Sequence, residues 1–107
     1  PHIKTHKSPM LAKLQVEAGA RGITCQKIGE AEVMAEAGLD DILISYNILG
    51  EDKMARLAKV MERATVTVAA DNPTVVAGLL TVSVALGGRW MRGAWNDSDT
   101  ASGTAAA

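Results

Sequence analysis

The feature that most constrains this chain is a recurring unit: a short apolar run, a polar loop, then an amphipathic helix pattern. The first run is His2-Ile3-Lys4. Ser8-Pro9 comes next as an N-cap with proline at the first helical position, and Met10, Leu11, Leu14 and Ala18 fall on one helical face before Gly19. The second run is Gly22-Ile23-Thr24-Cys25; after Gln26-Lys27-Ile28-Gly29 comes a helix with Ala31, Met34, Ala35 and Gly38 on one side. The third run, Asp41-Ile42-Leu43-Ile44-Ser45, reads as a strand buried on both faces. Its helix presents Met54, Leu57, Ala58 and Met61, with Lys53, Arg56, Lys59 and Arg63 toward solvent. The fourth run, Thr65-Val66-Thr67-Val68-Ala69, leads to Asn72-Pro73, a second cap-plus-proline device. It opens a helix with Val76, Leu79, Leu80 and Ser83 on one face, ended by Gly87-Gly88.

Four strand-helix units in series imply parallel strands joined by right-handed crossovers, in an open doubly wound sheet or a closed barrel. The spacing separates the two. Lys4 to Cys25 is 21 residues, Cys25 to Tyr46 another 21, and Tyr46 to Asp71 is 25. Such compact repeats favour a (β/α)₈ TIM-type barrel of about 250 residues. The expected fold is therefore α/β: the N-terminal half of such a barrel, about four parallel strand-helix units, incomplete. The opening Pro1-His2-Ile3, with no initiator Met, starts inside an apparent strand and points the same way. Residues 1–88 form the expected partial barrel domain. Residues 89–107, rich in Asp, Ser, Thr, Gly and Ala after Asn96, read as an irregular, disordered tail.

Composition narrows the function classes. Apolar residues make up 48% of the chain, enough for burial to drive folding, while Tyr46, Trp90 and Trp95 are the only aromatics. The formal net charge is −1 with no basic stripe, which argues against nucleic acid or an anionic membrane as partner. One cysteine excludes an intrachain disulfide and every multi-cysteine zinc pattern. His2 and His6 without a third ligand make no metal site, and none is expected in this chain. No run of 18 apolar residues and no signal peptide is present, so a cytoplasmic location is expected.

Chemistry in a parallel barrel gathers at the C-terminal strand ends. Here those ends read Lys4-Thr5-His6-Lys7, Cys25-Gln26-Lys27, Ser45-Tyr46-Asn47 and Asp71-Asn72. Lys4 alternates with His2 along the first run, which would put both on one side. Were that side the barrel interior, desolvation would favour the neutral amine, a nucleophile toward an aldehyde. Each position also has a plain structural reading: Lys4 as a loop lysine, Cys25 as a small buried hydrophobe, Tyr46 as a rim aromatic.

The run Pro1-His2-Ile3-Lys4-Thr5-His6-Lys7-Ser8-Pro9 resembles the opening strand of the D-threonine aldolase and D-serine dehydratase-like family, pyridoxal-phosphate enzymes with an alanine-racemase-type barrel. The resemblance continues through Ala18 to Lys27, Glu30-Ala31-Glu32, Asp41 to Asn47 and Val66 to Asn72, and covers about residues 1–86. The Pro-His-x-Lys-x-His-Lys element is its specific part. The resemblance implies a pyridoxal 5′-phosphate cofactor held by Lys4 as a Schiff base. It also implies a cofactor pocket lined by His2, Cys25, Gln26, Tyr46 and Asn47. Lys27 and Asp71 match as well, with no role attached. The family's divalent-metal ligands and most of its phosphate-binding loops lie in its later half, outside this chain.

The activity implied by the resemblance is that of a lyase acting on a small D-β-hydroxy amino acid. Retro-aldol cleavage of D-threonine to glycine and acetaldehyde stands first. Dehydration of D-serine or D-threo-3-hydroxyaspartate, racemisation, and a non-catalytic pyridoxal-phosphate-binding barrel are the alternatives. The full-length parent would be the enzyme, in a form that allows a homodimer. The fragment, with two unpaired strand edges, is expected to be inactive and prone to association.

Overall fold

A computed structural model describes residues 1–85, 92–95 and 104–105; from residue 83 onward only the backbone is described. The expected strand-helix alternation is present. A 3₁₀ turn at Ile3–Thr5 is followed by helix α1 (Pro9–Glu17), strand β1 (Ile23–Cys25) and α2 (Ile28–Glu36). Next come β2 (Asp41–Ile44), α3 (Glu51–Met61), β3 (Thr65–Ala70) and α4 (Pro73–Ala85). The chain's described part ends with β4 (Arg92–Trp95) and β5 (Thr104–Ala105).

The strands lie side by side in sequence order, parallel from β1 to β4. Register places Ile23 beside Ile42 and Val66, and Cys25 beside Ile44 and Val68. All six are buried and share one core with Ala31, Met34, Leu57, Val60, Met61, Val75 and Leu79 of the helices. Alternation sends Thr24, Leu43 and Thr67 to the other face, where they are only half-buried beside a shallow cleft of about 240 Å³. Leu43 thus departs from the expectation of a strand buried on both faces. The described helices cover one side of the sheet, and among the described residues no second layer covers the other. Gly22 lets β1 and β2 approach: a Cβ there would collide with the backbone carbonyl of Asp41.

Both cap-plus-proline devices form. Ser8 Oγ accepts from the Leu11 N–H at 3.4 Å, and Asn72 Oδ1 from the Val75 N–H at 3.1 Å. The faces of α2 and α3 pack as expected, through Ala31, Met34 and Ala35, and through Leu57 and Met61. α1 does not. Met10 and Leu14 are 68% and 52% exposed, and Ala12 with the half-buried Val16 meets the core instead. Met10–Leu14 and Ala12–Val16 are both i, i+4 stripes, so periodicity cannot choose between them. The smaller pair allows closer approach of helix to sheet. In α4, Val75, Leu79 and Val82 pack while Leu80 is 44% exposed, a rotation of about one position.

The first expected strand is reduced to one parallel bridge, His2 with Thr24, supported by the Thr24 N–H donating to the Pro1 carbonyl at 2.8 Å. From Ile3 the chain turns instead. His2 Nδ1 accepts from the Lys4 N–H at 3.2 Å, and the Ile3 carbonyl accepts from Lys7 at 2.7 Å, which satisfies locally the groups a strand would have paired. The tail expected over residues 89–107 falls mostly outside the described residues, as does the Gly87-Gly88 stop. Its two described stretches differ from the expectation: β4 pairs parallel with β3, and β5 antiparallel with β4. Main-chain pairing is open to any residue but proline, so an edge strand such as β3 can recruit a segment whose composition does not announce a strand.

Candidate functional site

The C-terminal ends of β1 and β2 frame a cleft of about 530 Å³. Gln26 and Lys27 come from the β1–α2 turn, Tyr46 and Asn47 from the loop after β2, Lys53 and Arg56 from α3, and Lys7 from the loop before α1. The turn is shaped by Glu30: its Oε2 accepts from the Gln26 N–H at 2.8 Å and the Lys27 N–H at 3.4 Å. The remaining carboxylate oxygen faces the Lys7 ammonium at 3.9 Å. Across the cleft Arg56 holds Glu32 with two hydrogen bonds, of 2.8 and 2.6 Å, which tie α3 to α2. The Arg56 hydrogen bond holds the Glu32 carboxyl below its usual value, and Glu32 in turn raises the guanidinium.

Asn47 and the β3 end are joined through Asp71. Its Oδ1 accepts from Asn47 Nδ2 and from Asn72 Nδ2, each at 2.7 Å, while Asn72 Oδ1 caps α4. The Asp71-Asn72 strand end therefore orients a residue of the cleft, a role the run of sequence does not show.

Of the six residues expected to form the site, Gln26, Tyr46 and Asn47 come together at this cleft, with Tyr46 59% exposed. Lys4, His2 and Cys25 do not line it. Lys4 is exposed on the 3₁₀ turn, so strand alternation no longer pairs its side with that of His2. Cys25 points from β1 into the helix-covered core with no exposed surface. Burial, and then the Glu30 charge, push its thiol up to about 12, so it is a neutral thiol at physiological pH. His6 is engaged at both nitrogens: Nδ1 accepts from the Ser8 N–H at 2.9 Å, and Nε2 lies 3.2 Å from Gln15 Oε1. Among the described residues no group of three His, Cys, Asp or Glu gathers as a metal site. Lys7, Lys53 and Arg56 were not marked as site residues by the sequence. The helical pattern placed Lys53 and Arg56 on a solvated face, and only the three-dimensional approach of α2 to α3 turns them toward a cleft.

Parallel strands in sequence order, helices on one side and a cleft at the strand ends define an open, partial β/α-barrel domain. No family model matches the chain. It is 44% identical over 72 residues to D-threonine aldolase of Arthrobacter sp., covering 67% of this chain and 19% of that protein. It is 40% identical over 80 residues to 3-hydroxy-D-aspartate aldolase of Paracoccus denitrificans, covering 73% of this chain and 21% of the relative. With the D-threo-3-hydroxyaspartate dehydratase of Delftia sp. it shares 46% identity over 48 residues, 45% of this chain and 13% of the relative. The crystal structure of D-threonine aldolase from Filomicrobium marinum superposes with a TM-score of 0.85 at 35% identity, over 97% of this chain and 28% of that one. Over this stretch the chain is homologous to D-threonine aldolase and these related enzymes, as the resemblance read over about residues 1–86 implies, and it matches a part of each. It spans about a fifth of the length of the first two curated relatives.

Proposed function

We propose that this chain is part of a pyridoxal-phosphate-dependent lyase acting on small D-β-hydroxy amino acids, with residues 1–88 as its share of the barrel. Retro-aldol cleavage of D-threonine to glycine and acetaldehyde is the first reading, and dehydration of a D-hydroxy amino acid the second. The observation that carries it is the 44% identity to D-threonine aldolase over 72 residues. The dehydratase match keeps the second reading in play. The isolated fragment is proposed to be inactive, and the parent to work as a cytoplasmic enzyme.

The residues present fit part of what the cofactor needs. Lys4 offers an exposed primary amine beside the first strand end, and Tyr46 an exposed ring at the second. Gln26 and Asn47 add amide groups, that of Asn47 fixed by Asp71. When bound, the cofactor supplies an electron sink for the bond broken at the substrate's α-carbon. Lys4 would hold it covalently, and Gln26, Tyr46 and Asn47 would line its pocket. Cys25, buried in the helix-side core, supports β1 from behind rather than touching the group.

Lys7, which borders the cleft, is the competitor for the covalent role. Borohydride reduction of the full-length protein decides between them. Lys4→Ala should lose covalent pyridoxal and the release of acetaldehyde from D-threonine, and Lys7→Ala should retain the label. A label that survives in Lys4→Ala and maps to Lys7 overturns the assignment. A full-length protein that forms pyruvate from D-serine but no acetaldehyde from D-threonine transfers it to the dehydratases.

A further inference from the structure

The Pro-His-x-Lys-x-His-Lys element contains a histidine that the lyase reading does not use. His6 follows Lys4 closely, half-buried, with both ring nitrogens engaged. Its Nδ1 accepts from the Ser8 N–H at 2.9 Å. A main-chain amide can only donate, so the ring carries its proton on Nε2. Nε2–H then donates to Gln15 Oε1 at 3.2 Å. The ring thereby ties the turn that carries Lys4 to both ends of α1, at its N-cap residue and in its last turn.

Lys4 itself is exposed, and among the described residues its ammonium is in no ion pair. With a flexible stem, its reach is set by where the turn holds its Cα. That turn has few anchors. Ile3 is its only buried residue, and the Ile3 carbonyl accepts from the Lys7 N–H at 2.7 Å. On the strand side the His2–Thr24 bridge holds it to β1. On the helix side Lys7 leaves it with φ 51, a left-handed conformation that a non-glycine residue keeps only where its surroundings impose it. The Lys7–Glu30 contact is long, at 3.9 Å, with the lysine 63% exposed, and holds weakly. The two His6 hydrogen bonds are what remains to fix the turn to α1.

We propose that His6 is a positioning residue for Lys4: its two ring hydrogen bonds hold the turn so that the Lys4 amine is presented beside the first strand end. This role rests on the reading of Lys4 as the residue that holds the cofactor. His6 touches neither cofactor nor substrate in it. Carboxamides can replace the ring nitrogens one at a time. An asparagine Oδ1 stands in for Nδ1 and a glutamine Nε2 for Nε2. His6→Asn thus keeps the bond to Ser8, His6→Gln keeps the bond to Gln15, and His6→Ala loses both.

The test compares, on the full-length protein, how fast pyridoxal 5′-phosphate and formaldehyde label Lys4 under a borohydride reductant. In both cases the amine condenses with the aldehyde, water leaves, and hydride reduces the C=N bond to an amine. Formaldehyde needs only an exposed amine, whereas pyridoxal phosphate needs one held beside the place where it docks. His6→Ala should take up pyridoxal at Lys4 roughly tenfold more slowly, with methylation by formaldehyde unchanged. His6→Asn and His6→Gln should each recover part of that rate. In the 107-residue chain without cofactor, nitrogen resonances of the His6 ring should show a bare Nδ1 and a protonated Nε2. Full-rate pyridoxal labelling in His6→Ala, amide variants as slow as His6→Ala, or a proton on Nδ1 overturns the proposal. Methylation that slows as much as pyridoxal labelling overturns it too, because His6 is then structural only. A label that survives in Lys4→Ala overturns the Lys4 assignment and the His6 role with it. A label lost there but undiminished in His6→Ala overturns the His6 role alone.

Discussion

The middle of the sheet and its first edge are built from similar apolar residues and end in different states. In the middle, Ile42, Ile44, Val66 and Val68 are sealed beneath α2 and α3 by Met34, Leu57 and Met61. At the edge, α1 turns Met10 and Leu14 outward and touches the core through Ala12 and Val16. Its entry strand is one bridge. The difference teaches that order here follows the number of layers a segment can lean on, since the edge is not poorer in hydrophobes. Such an edge is where a larger barrel would add its remaining elements.

The largest expected contrast is between Leu57→Ala and Leu14→Ala in denaturant unfolding of the chain. Leu57 has no exposed surface, so its truncation should cost about 3 kcal/mol. Leu14, half exposed, should cost no more than about 0.5 kcal/mol. An equal cost at Leu14 would mean that the α1 face is covered in solution. Concentration-dependent unfolding would then accompany it.

Cys25 sharpens the same comparison through pH. Its folded value, about 12, lies above the ordinary thiol value of 9.0, so the native state keeps a proton that the unfolded chain releases. The stability tied to Cys25 is complete below about 9 and is lost as pH rises from there toward 12. Cys25→Ala should flatten that alkaline decline while leaving the acid limb unchanged. If both proteins lose stability in parallel between those limits, the thiol is not held in the core as described.

A smaller contrast sets the two oxygen caps against each other. Asn72 both caps α4 and bonds Asp71, so Asn72→Ala should cost about 1 kcal/mol. Ser8 caps α1 through one long bond of 3.4 Å at the exposed edge, and Ser8→Ala should cost less than half as much. Loss of the Asn72 side chain should also loosen Asn47, seen as a shift of its side-chain amide resonances, because both lean on Asp71.

Much of this architecture was legible because it rests on local signals. Ser8-Pro9 and Asn72-Pro73 start helices by their own chemistry, and the spacing of Cys25, Tyr46 and Asp71 sets the repeat. What was not legible depends on partners distant in the chain. Whether α1 buries Met10–Leu14 or Ala12–Val16 is decided by what covers it. Whether His2-Ile3-Lys4 extends or turns depends on competition between a neighbouring strand and the His2 ring. Gln26, Tyr46 and Asn47 could be placed at the cleft because strand ends converge in any parallel α/β sheet. Arg56 could not, because its partner Glu32 sits 24 residues away on another helix.

That pair gives the smallest expected effect and the finest test of the middle's rigidity. Glu32 and Arg56 are both partly open to solvent, so their attraction is screened and contributes little to global stability. Because Arg56 holds the Glu32 carboxyl below its ordinary 4.5, the stabilisation is present above that value and is lost as pH falls through the lower folded value. Glu32→Gln should therefore leave stability near neutrality almost unchanged at high salt and lower it slightly at low salt, with the difference vanishing in acid. The informative readout is local. Freed from Glu32, the Arg56 guanidinium should lose its fixed place over Gly29, and its Nε–H resonance should broaden and exchange faster with water. An Nε–H signal that stays sharp and protected in Glu32→Gln would show that the packing of α2 on α3, rather than the ion pair, fixes Arg56 at the cleft.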